Sequence, residues 1–178
     1  PFLNKIYMLP ATAVGMYGIV NQYGLKMIGG PVGGFMSDKV HKSAAKHIRV
    51  GFVVCIVAMA VFLMIPHEAL GQKGMWMLGA VCTLTFGAIV FTMRAVFFAP
   101  MDEVKVPREI TGAAMSMASL IIYLPNTFAY VMYGNFLDRF PGMTGFRIVF
   151  SVMIGWAVVG VGVSTFLIRR IKKHQKNA

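Results

Sequence analysis

The chain has 178 residues, and only 13% of them are charged, about half the share of an ordinary soluble domain. Mean hydropathy is +0.69, and the apolar residues come in long uncharged runs, which excludes a water-soluble globule and predicts membrane-spanning helices. The formal net charge of +11 would suggest a nucleic-acid partner in a soluble protein. Here the basic residues lie between apolar runs and form no continuous surface, so no nucleic acid is expected.

A span needs roughly 20 largely apolar residues. The pattern predicts an all-α polytopic transmembrane bundle, with spans over about 11–36, 48–65, 75–99, 109–134 and 146–168. Residues 1–9 read as the end of a preceding span whose start is missing, and Pro1 in place of Met reads as a cut or processed end. Pro10 and Pro107 sit where a first helical turn accepts proline, and Glu109 suits the positive end of a helix dipole. Pro66 stops the second span and Pro100 the third. Pro31 and Pro125 fall inside the first and fourth spans, which are predicted to bend there. Cys55 and Cys82 lack metal-ligand spacing and read as small apolar packers.

Lys and Arg in the connecting segments predict orientation. Segments 37–49 and 100–109 and the tail after 168 carry eleven, against four (Lys5, Lys73, Arg139, Arg147) on the opposite side. The positive-inside rule then puts both segments and the C-terminus in the cytoplasm.

The spans differ in polarity. The second and fifth are almost wholly apolar and read as lipid-facing. In the fourth, Ser116, Ser119, Tyr123, Asn126, Tyr130 and Tyr133 recur at steps of three and four, on one helix face. Such a stripe faces protein or a water-filled cavity, because lipid does not solvate it. The first span carries Asn21, Gln22, Tyr23 and Lys26 near its centre. An unpaired ammonium at that depth costs about 3 kcal/mol or more, which marks Lys26 as a binding residue. Arg94, nearer the cytoplasm, is expected to snorkel to the interface or to pair with Asp102 or Glu103. Gly29, Gly30, Gly33 and Gly34 form small-xxx-small pairs for close helix contact.

All six acidic residues lie in loops or at span ends, as do His41, His47, His67 and His174. No proton relay, paired carboxylates, metal set or activated nucleophile lies at mid-depth, so no catalytic residue, metal or cofactor is expected. A cavity with Lys26 and no carboxylate would attract an anion.

Gly34-Phe35-Met36-Ser37-Asp38-Lys39-Val40-His41-Lys42 resembles the loop signature of the major facilitator superfamily, G-x-x-x-D-[RK]-x-G-[RK]. Gly34, Asp38, Lys39 and Lys42 match, while His41 replaces the later glycine, as in the degenerate copy of that family's second half. The resemblance implies a C-terminal half with helices 8 to 12 and the end of 7, polar spans at 8, 10 and 11, and apolar ones at 9 and 12. It further implies a cytoplasmic gate formed by Gly34, Asp38, Lys39, Lys42, Arg94 and Glu103. Arg94, Glu103, Val106-Pro107, Gly112 and Leu137-Asp138 resemble uncharacterised bacterial inner-membrane members of the YihN type.

The expected function is one half of an inner-membrane secondary transporter for a small polar solute, an organic anion, working by alternating access. Its substrate contacts are expected at Gln22, Lys26, Tyr123, Asn126 and Tyr130. The partners are that solute, the lipid bilayer and the N-terminal half of the same transporter. The rival reading is a non-transporting scaffold or subunit of a membrane complex, and an intramembrane enzyme ranks third.

Overall fold

The computed structural model describes residues 11–64, 72–140 and 142–177. Residues 1–9, Pro10, Pro66, His67 and Glu68 lie outside the described residues. The described residues open with one uninterrupted helical run: α1 (Ala11–Ile19), a π-helical segment Val20–Gly24, α2 (Leu25–Phe35) and a second π-helical segment Met36–His41. Then follow α3 (Ala44–Met64), α4 (Gln72–Ala95), the short α5 (Ala99–Glu103), α6 (Arg108–Arg139) and α7 (Met143–Asn177). Every described element is helical, in agreement with the all-α class expected from the sequence.

Among the described residues, three helices are long and apolar enough to cross a membrane: α3, α6 and the part of α7 from Thr144 to Lys173. The 21 residues of α3 span about 30 Å, the thickness of a hydrocarbon core. In α4 the apolar part, Gly79–Ala95, is shorter. α1 and α2 are short by themselves, at 9 and 11 residues, and reach further only through the π-helical segments. Pro31 in α2 and Pro125 in α6 each remove one backbone donor from the helix interior.

The third span ends earlier than the apolar run suggests. α4 stops at Ala95, where the amides of Val96 and Phe97 reach back only three residues, to Met93 (3.3 Å) and Arg94 (3.4 Å). Pro100 then opens α5 at a position that needs no donor.

Small residues set the packing. A Cβ on Gly29 would stand 2.7 Å from that of Phe91, and one on Gly33 would overlap the Thr92 carbonyl. Thus α2 and α4 touch backbone to backbone, while Gly30 and Gly34 face open space. α3 lies along α7, with Ala44, Ala45, Cys55, Met59 and Phe62 buried on one side and Phe146, Ala157, Ile168 and Ile171 on the other. Gly160 receives the Phe52 ring. Phe150 stands edge-on to Phe62 at 5.4 Å and lies 6.4 Å from Phe86, tying α7 to α3 and α4. The two most apolar spans therefore pack on each other, though Val53, Val54, Val57 and Val61 stay exposed on α3. α6 packs on α7 and has no buried residue.

Candidate functional site

The richest polar cluster lies where the loop-signature residues meet α3, α5 and α7. The first run ends at Lys42, in the left-handed conformation (φ 52°, ψ 26°), with its amide donating to the Ser37 carbonyl. The same carbonyl accepts the Ser43 amide at 3.1 Å. Ser43 then caps α3, its hydroxyl oxygen accepting from the Lys46 amide at 3.3 Å. Glu103, the last residue of α5, completes the cap. Its Oε2 accepts from the Ser43 hydroxyl at 2.8 Å and its Oε1 from the Ala44 amide. A carboxylate on free amides at a helix start is favoured by both hydrogen bonding and the helix dipole.

His41 and His47 lock the same turn. His41 Nδ1 lies 3.1 Å from the Met36 carbonyl and 3.2 Å from His47 Nδ1. Only a protonated Nδ1 can donate to a carbonyl, which assigns the hydrogen to His41 and makes His47 Nδ1 an acceptor. The rings are 5.0 Å apart and tilted by 60°.

Asp38, Lys42 and Glu103 line one recess of about 410 Å³ together with Asp102. Three of the six gate residues expected from the sequence thus come together. Lys39 is exposed on the same turn, and Gly34 lies in the last turn of α2. Arg94 stands apart. It is exposed and makes no ion pair with Asp102 or Glu103 among the described residues, since Glu103 is engaged by α3.

Arg94 instead borders a cavity of about 500 Å³ between α3, α4, α6 and α7, together with Asn126 and Tyr133. Its other walls are apolar, among them Phe52, Met59 and Trp156. A second recess of about 700 Å³ adjoins it through Phe52, Met93, Phe97 and Trp156. Its one hydroxyl, Ser164, is spent on the Gly160 carbonyl at 2.8 Å.

Of the five expected substrate contacts, Asn126 borders this cavity. Tyr123 and Tyr130 are 52% and 79% exposed, on a side of α6 that no described helix covers. Gln22 and Lys26 are exposed on the first run. The stripe on α6 therefore straddles an edge: Asn126 and Tyr133 turn to the cavity, Tyr123 and Tyr130 turn away. Ser116 and Ser119 satisfy themselves on the carbonyls of Gly112 (2.9 Å) and Met115 (2.8 Å).

Of the inward polar face of the first run, sequence reasoning named Asn21 and missed Tyr17 and its partner Thr83. The Tyr17 hydroxyl donates to the Ala80 carbonyl at 2.8 Å and meets Thr83 Oγ1 at 2.7 Å. Asn21 packs on Gly87, its Oδ1 buried without a hydrogen bond among the described residues. The signal was the step of four through Tyr17, Asn21, Leu25, Gly29 and Gly33. No group of three or more potential metal ligands occurs among the described residues.

Comparison with known proteins points to the same compartment. The chain is 49% identical to inner membrane protein YihN of Escherichia coli (strain K12) over 176 residues, 99% of this chain and 41% of that protein. It is 26% identical to inner membrane protein YqcE of the same organism over 170 residues, 94% of this chain and 38% of that protein. An uncharacterized protein of Mycoplasma pneumoniae is 30% identical over 108 residues, 56% of this chain and 48% of the relative. No family model and no solved structure matches. The chain spans about two-fifths of the length of the two Escherichia coli relatives. With its long apolar helices, it is a membrane protein related to bacterial inner membrane proteins.

Proposed function

We propose that the chain is the C-terminal half of a secondary transporter of the major facilitator type, moving a small organic anion by alternating access. The carrying observation is α6. It is long and apolar enough to cross a membrane, buries no residue in the described chain, and yet displays Tyr123, Asn126 and Tyr130 along its length. Lipid solvates such groups poorly, so a second bundle with water between the halves is the environment that suits them.

Anion preference rests on cations without carboxylate partners. Lys26 is exposed on the first run, and Arg94 borders a cavity beside Asn126. In this reading the substrate lies between the halves, touched by Gln22, Lys26, Tyr123, Asn126 and Tyr130, with Arg94 at the cavity edge. The Asp38–Lys42–Glu103 cluster is the cytoplasmic gate, and the C-terminus lies in the cytoplasm. The chain performs no covalent chemistry and needs no cofactor.

The test is uptake of labelled small carboxylates and organic phosphates by proteoliposomes of the full-length protein. Losing one charge-assisted contact is worth about 1.5–3 kcal/mol, so Lys26→Ala or Arg94→Gln should slow uptake by about ten- to a hundredfold. Wild-type rates in both variants would refute the anion reading. Absence of solute flux in the intact protein would favour the scaffold.

A further inference from the structure

A second, smaller recess adjoins the gate cluster on the α7 side. It has a volume of about 160 Å³ and is bordered by Lys42, Lys46 and Lys172, with Ser43 and Glu103 at one edge and Ile168 and Ile171 forming its apolar wall. Each lysine comes from a different element: the turn before α3, the first turn of α3 and the last turns of α7. Among the described residues the recess has one carboxylate, Glu103, whose two oxygens are already taken by the Ser43 hydroxyl and the Ala44 amide. Three lysines, of which Lys42 also borders the Asp38–Asp102 recess, thus line a space whose carboxylate is committed elsewhere, which favours an incoming anion.

We propose that this recess binds the phosphate of an anionic phospholipid headgroup. Its depth in the bundle argues for lipid over a soluble ester. α3 turns apolar after Arg49, and the basic stretch of α7 begins at Arg169, so the recess lies where both helices leave the hydrocarbon. Lipid phosphates lie at that level, and basic recesses between helix ends are where such headgroups bind. Ile168 and Ile171 offer an apolar surface to the glycerol and first methylenes. Lys42 keeps a left-handed backbone, a conformation that favours glycine, in a position that borders both the recess and the gate cluster.

The site stands independently of transport and is tested without a transport assay. The full-length protein is delipidated in detergent, offered phosphatidylglycerol or phosphatidylcholine, and examined by native mass spectrometry for retained lipid. The wild type should retain phosphatidylglycerol and not phosphatidylcholine. Each Lys→Gln change at 42, 46 or 172 should weaken retention by about fivefold, and the triple variant by more. A control with the same charge loss outside the recess, Arg169→Gln/Arg170→Gln/Lys173→Gln, should retain lipid as the wild type does. Lys172→Gln alone keeps the test valid if the triple variant misfolds, because Lys172 is exposed near the end of α7. Equal loss in both triple variants would reduce the effect to general surface charge and overturn the site. Displacement of the lipid by an equal concentration of sn-glycerol 3-phosphate would overturn the lipid assignment in favour of a soluble phosphate ester.

Discussion

Lys42 and Glu103 pull in opposite directions on stability. A left-handed non-glycine residue costs about 1–2 kcal/mol, and glycine gives back about 0.5–1 kcal/mol of that through its looser unfolded chain. Lys42→Gly should therefore stabilise the folded protein by up to about 1.5 kcal/mol, read as a higher melting temperature in detergent, while it lowers phosphatidylglycerol retention. A gain in both would remove Lys42 from the lipid site. Glu103→Ala uncovers the Ala44 amide and the Ser43 hydroxyl and should cost about 1–2 kcal/mol. Glu103→Gln, which still accepts from one donor, should fall between. The loop signature made Asp38 and Lys42 legible in the sequence as one neighbourhood, because their spacing fixes them on one turn; Glu103, in the next basic segment, came only with the family resemblance. The partner of Glu103 was not legible. A free helix start is a backbone property with no residue signature of its own, whereas Arg94 was a visible charge and looked the better match.

Helix α6 carries the element-scale test. Around its axis, Tyr123 and Tyr130 fall on one side, and the exposed Leu124 and Val131 on another. In membranes containing the intact protein, Tyr130→Cys should react with a water-soluble, membrane-impermeant maleimide and Val131→Cys should not. Equal protection of both would place the tyrosines in lipid or in a dry contact and remove the basis for a solute path. The contact between α2 and α4 makes a second element-scale prediction. Gly33→Ala drives a methyl into the Thr92 carbonyl and should cost about 1–3 kcal/mol by overpacking, while Gly30→Ala should leave the fold of this segment unchanged. The glycine pairs were legible as packing surfaces from their spacing. Which pair does the packing was not, because both repeat at four and only the neighbour's position separates them.

At the scale of the molecule, the helical, membrane-embedded class was legible from hydropathy alone, since runs of about 20 apolar residues have few other homes. The early end of α4 at Ala95 was not, because apolar residues continue through Phe97 and Phe98 into the turn and hide the boundary. The basic residues on one side predict that green fluorescent protein fused after Ala178 fluoresces, and that alkaline phosphatase fused there is inactive. The reverse pair of results would invert the topology. The packing divides the bundle unequally. Glycines clamp the first run to α4, Glu103 fastens the end of α5 to the start of α3, and α3 lies along α7. α6 belongs to none of these clamps. It is entered just after Lys105 (φ 57°) and left just before Gly142 (φ 80°), so a left-handed residue stands beside each of its ends. Held among the described spans through α7, and with no residue buried, α6 is the span whose displacement would disturb the fewest packed side chains.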